Sequence, residues 1–154
     1  GFSENSITAL MVLAGFGMVV GNLASGRMSD RYTPGRVLMM AQGGICIVLL
    51  AIFFLSSNPW ISLLLMFLCT AGLFAVSSPE QLLIIRVAPG GEMLGGACIQ
   101  IAFNFGNAVG AYAGGLAVTG GFQYAALVGV PFAFIGFILA VIFYKRYQLG
   151  YEVR

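Results

Sequence analysis

Charged side chains are sparse in this sequence, and their positions bracket long apolar blocks. The block between Glu4 and Arg27 has room for one membrane span, because the hydrocarbon core takes about 20 residues of helix. The blocks from Arg36 to Glu80 and from Glu92 to Lys145 each have room for two. Ser56-Ser57-Asn58-Pro59 supplies the turn that divides the first of these, with Pro59 suited to the first position of the following helix. Thr119-Gly120-Gly121 divides the second. The expected elements are helices near 5–26, 36–55, 59–80, 93–118 and 122–144. The expected fold is therefore all-α, a polytopic transmembrane helix bundle of about five spans. Pro79-Glu80-Gln81 carries apolar character past the third span, so that helix is expected to overshoot the membrane and end at Ala88-Pro89-Gly90-Gly91, with Pro79 a point for a kink.

Composition agrees with the block pattern. Of 154 residues, 60% are hydrophobic and 8% charged, with a mean hydropathy of +0.98. An average soluble domain carries about a quarter charged residues, so a soluble enzyme, a nucleic-acid binder and a disordered chain are excluded. No histidine is present, which removes a zinc site, a Ser-His-Asp triad and a histidine proton switch from consideration. Cys46, Cys69 and Cys98 sit in apolar stretches and read as packing residues. No metal or cofactor is expected, and a net charge of +2 gives no reason to expect an acidic polymer as partner.

With five alternating spans, all seven basic residues fall on one side of the membrane: Arg27, Arg31, Arg36, Arg86, Lys145, Arg146 and Arg154. Glu4 falls on the other. The positive-inside rule makes the basic side cytoplasmic, with the C-terminus inside and the N-terminus outside. The start, Gly1-Phe2-Ser3-Glu4, has neither an initiator Met nor a basic leader, so the chain reads as an internal piece of a longer one. Trp60, Tyr124, Tyr144 and Tyr147 fall near the expected interfaces, as an aromatic belt requires.

Twenty-two glycines in a loop-poor chain call for close helix packing. Gly17, Gly21 and Ser25 are spaced four apart in the first span, and Gly106, Gly110 and Gly114, followed by Gly115, in the fourth. Two readings stand side by side: tight static packing, or a sliding interface between helices.

The segment Gly26-Arg27-Met28-Ser29-Asp30-Arg31-Tyr32-Thr33-Pro34-Gly35-Arg36 reads as a tight connection, with Thr33 and Pro34 as N-cap and first residue of the second helix. Asp30 is placed just ahead of that helix, where its dipole favours a carboxylate. Gly-x-x-x-Asp-Arg followed by Gly-Arg (Gly26, Asp30, Arg31, Gly35, Arg36) resembles the loop signature of the major facilitator superfamily, in the weaker form found between helices eight and nine. Gly106-x-x-x-Gly110-Ala111-x-x-Gly114-Gly115 resembles the second-half counterpart of the antiporter signature, on helix eleven. The stretch Ala102 to Tyr112 is similar to the drug/proton antiporter branch, and within it to the arabinose efflux permease group. The resemblance implies helices eight to twelve of a proton-driven transporter in a bacterial inner membrane. It implies an N-terminal half as partner and alternating access to a mid-membrane site. Sugars, drugs and small metabolites all remain open as substrates. It also implies that the Asp30/Arg31 segment latches the cytoplasmic side in one conformation.

Gln100, Asn104 and Asn107 recur at i, i+4 and i+7 and so share one helix face. They are read either as hydrogen-bonding to neighbouring helices or as donors and acceptors for substrate. Thr70 and Ser77 are weaker substrate-site candidates, and Gln42 is read as structural. Glu80 is a proton-site candidate by default, placed near the cytoplasmic surface by its nearness to Arg86. The rival to a transporter is a non-transporting membrane scaffold or partner subunit that binds other helices through its glycine faces. An intramembrane enzyme finds no paired catalytic residues.

Overall fold

Two prolines decide where the second and third helices begin. A residue ahead of proline is pushed out of helical geometry, and Thr33 and Asn58 both adopt extended backbone before Pro34 and Pro59. The computed structural model describes residues 6–148. Over these residues it contains α1 (Ile7–Arg31), α2 (Pro34–Leu55), α3 (Pro59–Val87), α4 (Glu92–Val118) and α5 (Phe122–Phe143), with a π-helical turn, Tyr144–Gln148, continuing α5. Glu4, Arg154 and the side chain of Tyr147, all invoked by the sequence reading, lie outside the described residues.

The connections are short, and each has a local cause. Asn58 accepts a hydrogen bond from the Trp60 amide at 3.0 Å, and the Ser62 hydroxyl donates to the Ser56 carbonyl at 2.8 Å, which closes the α2–α3 turn. The α4–α5 turn uses Gly121 at φ 136°, a conformation that side chains with a Cβ rarely adopt. Gly90, at φ 82°, plays the same part between α3 and α4.

One boundary differs from expectation. The charged segment 27–31 is not loop: α1 runs through Gly26, Asp30 and Arg31, and only Tyr32 and Thr33 link it to α2. Nothing between Gly26 and Arg31 breaks a helix; Tyr32 is the first residue in extended backbone, and Thr33, held extended ahead of Pro34, follows it. Asp30 therefore stands in the last turn of α1, where the dipole disfavours a carboxylate, rather than at the start of α2. Arg31 beside it is favoured there. The third helix overshoots as far as Val87, with Ala88 as its C-cap and Pro79 buried inside it.

Packing follows the small residues. α1 lies along α3; α2 sits between α3 and α5; α4 leans on α5 and touches α3 more lightly. Gly17 and Gly21 are buried with Ser25 and Ser29 on the α1 face toward α3. A Cβ added at Gly17 would lie 2.6 Å from Thr70 Oγ1 and 2.9 Å from the Phe67 carbonyl oxygen, and one at Gly21 would collide with the Ala71 carbonyl. On α5 the buried residues are Ala126, Ala133 and Ala140, one every seven positions, forming a shallow seam that receives α2. The core gathers Leu38, Ile45, Val76, Leu83, Ala133 and Ala140 around that seam.

The outer surface is apolar: Met11, Phe54, Trp60 and Phe132 are all exposed. Lipid rather than water fits such a surface. α1, α2, α3 and α5 are each long and apolar enough to cross a membrane, but α4 does not reach the same apolarity. Gln100, Asn104, Asn107 and its many glycines account for the difference.

Because the atoms facing Gly21 are backbone, they cannot rotate aside. Gly21→Ala is expected to destabilise the protein by about 1–3 kcal/mol. Gly15→Ala, with nothing within 4 Å of the added carbon, is expected to leave stability unchanged or raise it by up to about 1 kcal/mol. Thermal unfolding of both variants in detergent checks this, and equal midpoints would remove the role assigned to the α1–α3 contact.

Candidate functional site

An open cavity of about 1180 Å³ lies between α2, α3, α4 and α5. Its wall is mostly aliphatic and aromatic, with Gln42, Glu80 and Arg146 as the polar groups and Cys69 and Cys98 as the thiols. Gln42 is already engaged, since its Nε2 donates to the Ala133 carbonyl at 3.1 Å and so ties α2 to α5. Gly136 makes room for it: a Cβ there would come within 2.6 Å of the same nitrogen.

Glu80 is half-buried and faces the cavity, one residue beyond the buried Pro79. Its nearness to Arg86 along the helix, from which a surface position is expected, fixes only its height. Direction around the helix is what distance cannot supply, and Glu80 shares the face of Cys69, Leu73, Val76 and Leu83.

The other expected site residues fall elsewhere. Gln100, Asn104 and Asn107 are exposed on a flank of α4 and do not line the cavity, where Ile99, Ala102, Phe103 and Gly110 face inward instead. Thr70 bonds back to its own helix, its hydroxyl donating to the carbonyls of Met66 and Phe67 at 3.1 and 3.0 Å, and it sits against Gly17 of α1. Ser77 accepts a hydrogen bond from Gln81 at 3.2 Å. Neither Thr70 nor Ser77 is part of the cavity wall.

At the basic end of the bundle, Asp30 and Arg31 are exposed, whereas Gly35 is buried. Gly26 lies close to Ser78 of α3. Arg36 reaches across to the end of α5: its Nε donates to the Tyr144 hydroxyl at 2.8 Å, with the guanidinium 5.9 Å from the ring centroid. This joins the start of α2 to the end of α5. Glu92 opens α4 and accepts a hydrogen bond from the Gly90 amide at 2.9 Å, which holds its carboxyl below the usual carboxylate range. Among the described residues, no cluster of His, Cys, Asp or Glu is placed to hold a metal ion.

The glycines divide into two groups. Gly17 and Gly21 are pressed against α3, whereas Gly106, Gly110 and Gly115 have nothing within 4 Å of an added carbon and Gly114 only the Ala125 methyl at 4.0 Å. α4 has no buried residue at all.

A bundle of apolar helices with glycine-mediated crossings and a cavity between them is a membrane-embedded unit of the kind found in polytopic transport proteins. Residues 1–150 match the family model of the Major Facilitator Superfamily, and the chain belongs to that family. It is 46% identical over 150 residues to a protein of Escherichia coli (strain K12) named "Putative transporter AraJ", covering 96% of this chain and 38% of that one. It is 33% identical over 140 residues to the "Inner membrane transport protein YdhP" of the same organism, covering 89% of this chain and 35% of the relative. A third relative, an "Uncharacterized MFS-type transporter YfhI" of Bacillus subtilis (strain 168), is 31% identical over 129 residues, covering 81% of this chain and 31% of the relative. The chain thus spans between about three tenths and two fifths of the length of these relatives. No solved structure matches it.

Replacing Gln42 by methionine keeps the length of the side chain and removes its donor. Gln42→Met is expected to cost about 0.5–1.5 kcal/mol, the worth of one net hydrogen bond, read as a lower unfolding midpoint. An unchanged midpoint would mean that the Gln42–Ala133 bond contributes nothing to holding α2 on α5.

Proposed function

We propose that this chain is the membrane-embedded C-terminal part, helices eight to twelve, of a secondary transporter that exports sugars, drugs or small metabolites, driven by protons, by alternating access. The match to a transporter family over residues 1–150 carries the reading. The names of the relatives support it, one of them an inner membrane transport protein. The basic end of the bundle is then cytoplasmic, because all seven Lys and Arg belong to that side, and the membrane is a bacterial inner membrane.

The substrate contacts belong to α4. A row of three amides cannot be left facing hydrocarbon, where an unsatisfied polar group costs several kcal/mol. Gln100, Asn104 and Asn107 are exposed on this chain, so they turn either to a watery path or to a polar partner. In a transporter they offer donors and acceptors to substrate at mid-membrane. Thr70 and Ser77, turned away from the cavity, take a lesser part. At the cytoplasmic end, Asp30 and Arg31, with Gly26, Gly35 and Arg36 shaping the turn, latch one of two conformations whose balance substrate and protons shift.

Two measurements on the complete protein in vesicles test the reading. Asp30→Asn is expected to lower transport by about tenfold, the effect of moving a two-state balance by about 1.4 kcal/mol; normal expression with full transport would remove the latch. Leucine at Gln100, Asn104 and Asn107 together is expected to change the relative uptake of different substrates. If affinity for every substrate tested stays the same, the amides are structural. Absence of any transport, with co-purification of another membrane protein, would favour the scaffold reading instead.

A further inference from the structure

The cavity takes up one side of α2 and α5, and the far side of the same pair has a pattern of its own. On α2 the cavity wall is Leu38, Gln42, Ile45 and Leu49. On the opposite face of that helix, Arg36, Met40, Ile47, Leu50 and Phe54 recur at i, i+4, i+11, i+14 and i+18, which places them in one row. All five are exposed. On α5, Phe134, Ile138 and Lys145 form a similar exposed row, turned away from Gly136, Leu139 and Arg146 of the cavity wall. Each row is apolar along its length and ends in one cation, and both cations stand at the basic end of the bundle.

Two aromatic rings close the seam between the rows. Phe137 lies over Gly43, where an added Cβ would come within 3.3 Å of the ring. Nearer the basic end, the Tyr144 hydroxyl accepts from Arg36 Nε at 2.8 Å. A long side chain gives up rotamer freedom when it grips a ligand, and Tyr144 has already taken part of that freedom from Arg36. The guanidinium edge that bears both Nη groups is a fork that matches phosphate oxygens, and Lys145, next in sequence to Tyr144, adds a point charge. Neither Glu80, which faces the cavity, nor Glu92, bonded to the Gly90 amide at the start of α4, opposes an anion there. The apolar part of the track also has a suitable length. One leaflet is half of a hydrocarbon core of roughly 30 Å, or about ten residues of helix at 1.5 Å each, which is the reach from Met40 to Leu50.

We propose that the α2–α5 seam at the basic end binds an anionic glycerophospholipid, its phosphodiester on Arg36 and Lys145 and its acyl chains along Met40, Ile47 and Ile138. Net negative charge is what the site selects, because a zwitterionic headgroup brings an ammonium that the two cations repel. The site faces away from the cavity and so stands apart from any substrate path. It requires only that the chain lie in a bilayer, and holds whatever the substrate proves to be.

The test places the complete protein in phosphatidylcholine vesicles containing a minor share of phosphatidylglycerol with a photoactivatable diazirine midway along one acyl chain. After irradiation the adducts are located by mass spectrometry, and they are expected at Met40, Ile47 and Ile138. Unlabelled phosphatidylglycerol should displace the probe, whereas phosphatidylethanolamine and glycerol phosphate should not. One cation near an anionic lipid surface strengthens binding by about fivefold. Lys145→Gln is therefore expected to lower labelling about fivefold, and Arg36→Gln combined with it about 25-fold, the product of two such factors. Lys145 is exposed, so the single variant keeps the test valid even if loss of the Arg36–Tyr144 bond weakens the fold. Arg146→Gln removes the same charge from the cavity side and is expected to leave labelling unchanged. Equal labelling by a phosphatidylethanolamine probe, or a loss in Arg146→Gln as large as in Lys145→Gln, would make the seam ordinary lipid-facing surface and overturn the proposal. So would displacement by glycerol phosphate, which would mark a site for soluble phosphate, or adducts confined to other helices.

Discussion

Lipid tails are as apolar as leucine, so helices in a bilayer gain little by burying apolar side chains against each other, and their hold depends on how near their backbones come. In this chain that nearness is greatest where Gly17 and Gly21 of α1 meet the backbone of α3 at Phe67 and Ala71. At Gly21 the facing atoms are all backbone and cannot give way, so the contact fixes the rotation of α1 and with it the position of the charged turn at its end. The α2–α5 seam obeys the same rule with alanine. Ala126, Ala133 and Ala140 keep that face of α5 low, and Gln42 adds a hydrogen bond across it, the kind of link that is worth most where water does not compete.

α4 stands apart from this scheme. It buries no residue and carries the row of amides. A helix with few buried contacts belongs to the less stable end of a structure, from which moving elements are drawn. A polar row on such a helix is costly in hydrocarbon and gainful beside water, substrate or a partner helix. The amides and the bare glycines of α4 are both exposed among the described residues.

Glu80 shows how burial and chemistry meet. A carboxylate on a membrane helix is tolerated when it faces the interior of the bundle or a cavity, and the apolar cavity between α2, α3, α4 and α5 is where its side chain lies. Pro79 next to it is fully buried, so the stretch of α3 that carries the acid is held on its other side by packing. Arg36, reaching Tyr144 at the basic end, closes the same bundle from outside.

The number of helices, their turns and their lipid-facing character could be read from the chain because each has a local cause. Charges bracket the spans, Pro34 and Pro59 start helices, and glycines at 90 and 121 allow backbone angles that other residues rarely adopt. The end of α1 differs from the expectation for a physical reason: Asp30 and Arg31 look like loop by charge, yet charge does not break a helix, and α1 runs on to Arg31, two residues short of the Thr33-Pro34 step. Facing was the part left to the packed fold. Cys69 and Thr70 are neighbours in sequence, but one residue is 100° of helix rotation, so one lines the cavity and the other lies against Gly17. The same turn sends Phe103 inward and Asn104 outward. Sequence spacing places residues on a common face, but which neighbour that face meets depends on how α1, α3 and α5 settle against each other. That is why Gly17 and Gly106, alike in their local sequence, come to such different surroundings.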